Sequence, residues 1–212
     1  IALKGGECAV EVEESIDEAA GIALLGEAGI HIIPNYLTPE ECDELIALFV
    51  PMPVENAGEW EGRMCIPDWP KHLVDRMTTG RAMLAEELFD KAFVLDHPHL
   101  LRWRIGDHKE THRDWGVDNE FPWRSHVGII YLNDDYEGGY LTIPADDLAL
   151  RVDRGTLVIF EGGDREHGVT PVTKGDRWTS PCWFAEEGKW ATRLERYNPN
   201  GAENSGTTYN VN

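Results

Sequence analysis

The sequence predicts a mainly β domain of the α+β class, with N-terminal helices packed on one sheet of a double-stranded β-helix (jelly-roll) core. Three observations carry this. The front of the chain holds a helix start and helical periodicity, whereas from about Leu100 short apolar runs alternate with Gly, Asp and Pro turns. Helices first and strands afterwards place the helices against a sheet rather than between parallel strands. The length, 212 residues, suits one domain with a buried core.

Each element follows from local chemistry. Residues 1–20 are acidic and without clear periodicity. Ile30 to Ile33 reads as a short strand. Thr38-Pro39-Glu40-Glu41 is a helix start: Thr38 caps, Pro39 suits the first helical position and Glu41 completes a capping box. Cys42, Leu45, Ile46 and Phe49 then share one face. Residues 51–70 contain four prolines and read as loop. A second helix is expected from about His72 to Phe93, with Leu73, Met77, Leu84 and Leu88 near one face and Gly80 a weak point. Strands are expected at 100–105, 126–132, 139–143, 148–153, 156–160, 167–172 and 177–184. The domain is expected to span 1–197, with its core at about 100–190. From Asn198 to residue 212 the chain is a polar, Gly-rich tail.

Composition excludes several functions. There are 39 acidic and 19 basic residues, a formal charge of −20. That field repels phosphate backbones, so no nucleic-acid partner is expected. Cys8, Cys42, Cys65 and Cys182 lie far apart with no CxxC spacing, which gives neither a disulfide framework nor a zinc ribbon. Reduced, buried thiols are expected, Cys42 on a helix and Cys182 on a strand. No apolar run approaches the ~20 residues that span a bilayer, so no membrane partner is expected. No signal peptide is visible. A cytoplasmic location is expected, although a start at Ile1 leaves a trimmed leader open. The sequence carries no sign of the oligomeric state.

One motif carries chemistry. His112-Arg113-Asp114 is followed at a distance by His167. Residues i and i+2 of an extended chain face the same way, so His112 and Asp114 can reach one metal while Arg113 points away. Two histidines and a carboxylate hold ferrous iron in oxygenases and leave positions open for O2 and substrate. Taken alone, the pair could equally be a surface salt bridge.

The neighbouring segments decide between these. The stretch HGVTPVTKGDRWTSPCWF from His167 resembles the end of the catalytic core in iron- and 2-oxoglutarate-dependent dioxygenases, most closely the prolyl 4-hydroxylase branch. So do Trp103 to Asp107, YLNDDYEGGYLTIP at 131–144, GTLVIF at 155–160 and IHIIPNYLTPEECDELIALF at 30–49. The resemblance runs from about Ile30 to about Trp190. It implies an enzyme in which His112, Asp114 and His167 bind Fe(2+), and Arg177 binds the far carboxylate of 2-oxoglutarate. O2 is consumed, succinate and CO2 are formed, and a substrate C–H bond is hydroxylated. Ascorbate (vitamin C) is a candidate reductant. Prolyl hydroxylases usually carry lysine at the Arg177 position, so the arginine loosens the link to proline but not to 2-oxoglutarate. An aspartate at 114, where related halogenases have a small residue, favours hydroxylation.

Other residues admit two readings. Lys174 rivals Arg177 as the anchor, but its place in the turn favours Arg177, whose guanidinium can grip a carboxylate with two bonds. By the resemblance Trp103 walls the 2-oxoglutarate site and Trp183 lines the substrate side, yet both could be core aromatics. His97 and His99 flank Pro98 without a matching partner. His126 is expected to pack at a strand start, and His31 and His108 suggest nothing specific. Gly138-Gly139 reads as a tight strand connection. The expected substrate is a peptidyl proline, with a free amino acid or other small molecule as the alternative. From another class, a non-catalytic jelly-roll binding module has no need of Arg177, and a zinc hydrolase lacks an evident general base.

Overall fold

A computed structural model describes residues 2–4, 25–26, 28–51, 60–96, 98–115 and 123–187. The expected tail and most of the 115–125 segment lie outside these residues, as does part of the 51–70 loop. Three antiparallel sheets hold the strands. The largest joins β2 (Ile30–Ile33), β11 (Leu157–Phe160), β7 (His126–Tyr131), β14 (Arg177–Glu186), β5 (Leu100–Trp103) and β3 (Met64–Cys65), in that order, with β4 (Phe93–Leu95) also on β14. The second joins β1 (Ala2–Lys4), β10 (Leu148–Leu150), β9 (Leu141–Ile143), β12 (His167–Val169) and β6 (Lys109–His112). A ribbon of β13 (Val172–Lys174) and β8 (Glu137–Gly138) completes the set. The chain is mainly β with few helices.

Strand parity explains the layering. All four residues of β11 are buried. Leu157 and Ile159 pack with the helices, while Val158 and Phe160 pack with Leu141, Ile143, Leu148 and Leu150 of the second sheet. A strand covered on both faces reads as a continuous apolar run because both alternating sets must be apolar. In β14, Trp178, Cys182 and Phe184 take the helix side. Alternation therefore gives Arg177, Thr179, Pro181 and Trp183 the face toward the second sheet.

Among the described residues, the α-helices with both ends described are α1 (Pro39–Ala47), α2 (Val74–Met77) and α3 (Thr79–Phe89). The capping box at α1 forms as read: Glu41 N donates to Thr38 Oγ1 at 3.3 Å, and Thr38 N donates to Glu41 Oε2 at 2.9 Å. Cys42 and Leu45 face the sheet. The single helix expected over 72–93 is instead two. It breaks at Thr78 (φ −124°, ψ −104°), whose hydroxyl donates to Val74 O. A side chain at Gly80 would lie 2.8 Å from Asp75 O, so the glycine permits the close turn. The second piece ends at Asp90 in the left-handed conformation, and Phe93 opens β4. Pairing with β14 overrides helix propensity there.

Two strand expectations also change. The run 167–172 splits at Thr170-Pro171 into β12 and β13, which belong to different sheets. The segment before His112, not assigned from sequence, is strand β6. Gly138 and Gly139 do form the tight connection, with φ of 71° and 61°.

Candidate active site

The two histidines meet because their strands pair. His112 ends β6, His167 begins β12, and the two are opposite partners in the ladder, with ring centroids 4.5 Å apart. Asp114 arrives differently from the sequence expectation. The strand stops at His112, and Asp114 lies in a bend whose N–H donates to Gly162 O at 2.8 Å. That bond, not an unbroken extended chain, turns its carboxylate to the histidines.

The ligand atoms of His112, Asp114 and His167 all lie within 4.8 Å of one another. His112 Nε2 is 3.7 Å from Asp114 Oδ1, and His167 Nε2 is 3.6 Å from Asp114 Oδ2. Adjacent donors on one octahedral ion with bonds of about 2.1 Å sit about 3 Å apart, so little closure is required. Each imidazole is already oriented. His112 Nδ1 lies 2.8 Å from Glu110 O, and His167 Nδ1 lies 3.0 Å from Arg165 O. A carbonyl can only accept, so Nδ1 carries the hydrogen and each Nε2 lone pair is left for a metal. Burial, with the neighbouring His167 charge, pushes the His112 pKa down against the pull of Asp114. The neutral, ligating form is thereby favoured. His167 and Asp114 are 5% and 6% exposed, while the His112 side chain is 30% exposed, so the site opens on that side. The ring of Phe160 meets His167 edge-on at 5.0 Å.

Arg177 opens β14, opposite Trp103 of β5. Its guanidinium lies 5.1 Å from the Trp103 ring centre and 5.0 Å from that of Tyr131. Only 1% of it is exposed, its Nε has no hydrogen-bond partner, and among the described residues no carboxylate pairs with it. Tyr131 belongs to the same inter-sheet cluster as Phe160, so Arg177 and the histidines border one interior. A buried cation without a counter-charge is costly unless an anion completes it, and a dicarboxylate fits that need. Lys174 is exposed and pairs with Glu137 at 2.6 Å on the surface ribbon, away from this interior.

Trp103 is buried, with its ring beside the Arg177 guanidinium. Its N–H, however, donates to Thr179 Oγ1 at 3.1 Å. Trp183 lies on the same face of β14 as Arg177, half-buried, with the Arg124 guanidinium 3.9 Å over its ring. His126 packs at its strand start, against Phe89 and Phe93. His99 packs against Trp183, and His97 lies outside the described residues. Sequence reasoning missed three contributors: Gly162 behind Asp114, and Tyr131 and Tyr136 near Arg177. The hydroxyl of Tyr136 is buried with no hydrogen-bond partner among the described residues. A signal existed for the first, a glycine pair one residue after a fully apolar strand.

Comparison with known proteins agrees with this geometry. Residues 98–185 match the family model described as the 2OG-Fe(II) oxygenase superfamily. Prolyl 3-hydroxylase 3 of Mus musculus is 35% identical over 126 residues, which cover 55% of this chain and 16% of that protein. The chain thus spans a small part of that relative. The viral collagen prolyl hydroxylase of Paramecium Bursaria Chlorella virus-1, solved with 2OG, superposes with a TM-score of 0.59 at 17% identity, covering 74% of this chain and 96% of that one. A Pseudomonas putida prolyl-4-hydroxylase gives 0.57 at 19% identity, covering 80% and 99%. At these identities the two structures speak for the fold. The matched segment encloses the His-Asp-His site and Arg177, so residues 98–185 resemble a 2OG-Fe(II) oxygenase domain of the prolyl-hydroxylase-like kind, with a donor set that fits Fe(2+) and 2-oxoglutarate.

Proposed function

We propose that this chain is a dioxygenase that hydroxylates a peptidyl proline. One observation carries the reading: an oriented His-Asp-His set and a buried arginine with no counter-ion among the described residues border the same interior. In this reading the two main sheets are the walls of a double-stranded β-helix, within one domain over residues 1–197.

When bound, the iron couples conversion of 2-oxoglutarate and O2 to succinate and CO2 with insertion of one oxygen atom into a substrate C–H bond. The protein's own groups do the rest. His112 Nε2, His167 Nε2 and Asp114 hold the ion from one side, leaving the other side open. Arg177 pairs with the distal carboxylate of 2-oxoglutarate and fixes its orientation. Trp103 and Tyr131 flank the guanidinium and keep water from it, which strengthens the pairing. Trp183, on the same strand face, lines the substrate side.

Support for proline comes from the three relatives named above, each a prolyl hydroxylase by name. They include both 3- and 4-hydroxylases, so the position of attack is left to experiment. The acidic balance makes a neutral or basic peptide the better partner.

The test is direct. The protein is incubated with Fe(2+), ascorbate, 2-oxoglutarate and short proline-containing peptides of differing charge, alongside free L-proline and other amino acids. Succinate formation with a one-oxygen mass gain on peptide is the expected result, and NMR of the product locates the hydroxyl. Turnover of a free amino acid with none of peptide would transfer the assignment to a small-molecule hydroxylase. No succinate under any condition would leave a binding module.

A further inference from the structure

We propose that Gly162 is a positioning residue for the iron-binding carboxylate, because the space of its missing side chain is occupied by Asp114. The inference rests on the reading of Asp114 as a metal ligand.

A Cβ at Gly162 would lie 2.2 Å from Asp114 Oδ2, 3.3 Å from its Cγ and 2.9 Å from Val127 Cγ1. The backbone of Gly162 is not in the left-handed region, so conformational freedom is not what requires glycine. The requirement is space. The same residue accepts the Asp114 N–H through its carbonyl at 2.8 Å. Gly162 therefore fixes the Asp114 backbone from one side and leaves room for its carboxylate on the other.

The next residue provides the contrast. A Cβ at Gly163 would lie 2.8 Å from the carbonyl oxygens of both Arg124 and Ser125, and 2.5 Å from Trp115 Cδ1. Gly163 N also donates to Ser125 O at 2.8 Å. Backbone carbonyls cannot swing aside, so a side chain at 163 strains the chain itself. At 162 the nearest group is the end of an aspartate side chain, which can rotate. The least costly relief is for the carboxylate to leave its place beside His112 Nε2 and His167 Nε2. Two adjacent glycines thus do different work: 163 serves the fold and 162 serves the metal.

The distinction is measurable with Co(2+) as the probe, using its binding curve and visible absorption, together with thermal melting of the metal-free full chain. Gly162→Ala is expected to melt cooperatively near the parent temperature. It should bind Co(2+) at least about tenfold more weakly, the scale of loss when a ligand's support is removed, with an altered spectrum. In an Asp114→Ala background the same substitution should cost no further affinity, because the two changes act through one group. A parallel pair, Val127→Ala with and without Gly162→Ala, removes the other close contact and keeps the comparison valid if the single variant melts early. Unchanged Co(2+) affinity in Gly162→Ala, with Asp114→Ala weakened, overturns this inference alone. An equal loss in the Asp114→Ala background, or lost melting in both Gly162→Ala proteins, also overturns it, since the glycine then serves the fold. Full affinity in Asp114→Ala overturns the ligand reading beneath it.

Discussion

The two ends of the candidate site are built on opposite principles. The metal end uses chain that is leaving regular structure: the last residue of β6, a bend and the first residue of β12, with a register irregularity just after His167. The proposed co-substrate end sits on β14, the longest of the described strands, where Arg177 is paired in register with Trp103 and walled by two aromatic rings. The difference follows from the chemistry. Three donors aimed at one point cannot all come from one flat ladder, and open coordination positions require a mouth. A single buried cation needs rigid, dry walls, which a strand in the middle of a sheet supplies.

The largest effect should come from breaking the metal end. His112→Ala, Asp114→Ala or His167→Ala should each reduce iron affinity and turnover by roughly a hundredfold or more, since a three-donor set has no spare. Titration with iron and assay of succinate check this. Full activity in any one variant would remove that residue from the set.

Breaking the anchor should act on a different quantity. Arg177→Ala should raise the 2-oxoglutarate requirement while leaving iron affinity almost unchanged. Loss of a buried charged partner costs about 2–5 kcal/mol, or roughly 30- to several-thousand-fold in affinity. Arg177→Lys should be milder, because it keeps the charge and loses only the fork. Lys174→Ala should do nothing to either quantity. If Lys174→Ala gave the large effect, the two ends would have been paired wrongly.

The aromatic wall offers a finer test. Trp103→Phe keeps a ring beside Arg177 and removes the bond to Thr179. We expect a stability loss of about 0.5–1.5 kcal/mol and a rise in the KM for 2-oxoglutarate well below that of Arg177→Ala. Chemical denaturation and steady-state kinetics separate the two readouts. A KM effect as large as that of Arg177→Ala would make Trp103 a direct partner of the co-substrate.

The smallest effect concerns pH and the metal-free protein. His112 is held below its ordinary pKa by burial and by His167. Below about pH 6.5 the unfolded chain therefore binds the proton more readily than the folded one. Stability should be full above that range and fall as the pH drops through it toward the folded pKa. Melting curves of the metal-free protein measure this, and His112→Asn should flatten the fall. An unchanged slope in that variant would assign the acid sensitivity elsewhere.

What is local or periodic can be read from the residues alone. The Thr38 capping box depends on neighbouring residues, and the apolar run at 156–160 reads as a strand. The His-Asp-His set and Arg177 were legible as residue chemistry at a recognisable spacing. Tertiary structure decided whatever depends on which distant segments touch. It ended the expected 72–93 helix at Phe89, because Phe93–Leu95 pairs with β14 instead of continuing a helix. It placed Lys174 on a surface ribbon and Arg177 in the interior, although three residues separate them in the chain. It gave the Trp103 N–H to Thr179 and the space beside Gly162 to Asp114. Periodicity reports which face of an element is apolar. Contact between elements far apart in sequence is fixed only when the sheets close on one another, and a three-donor site is made of such contacts.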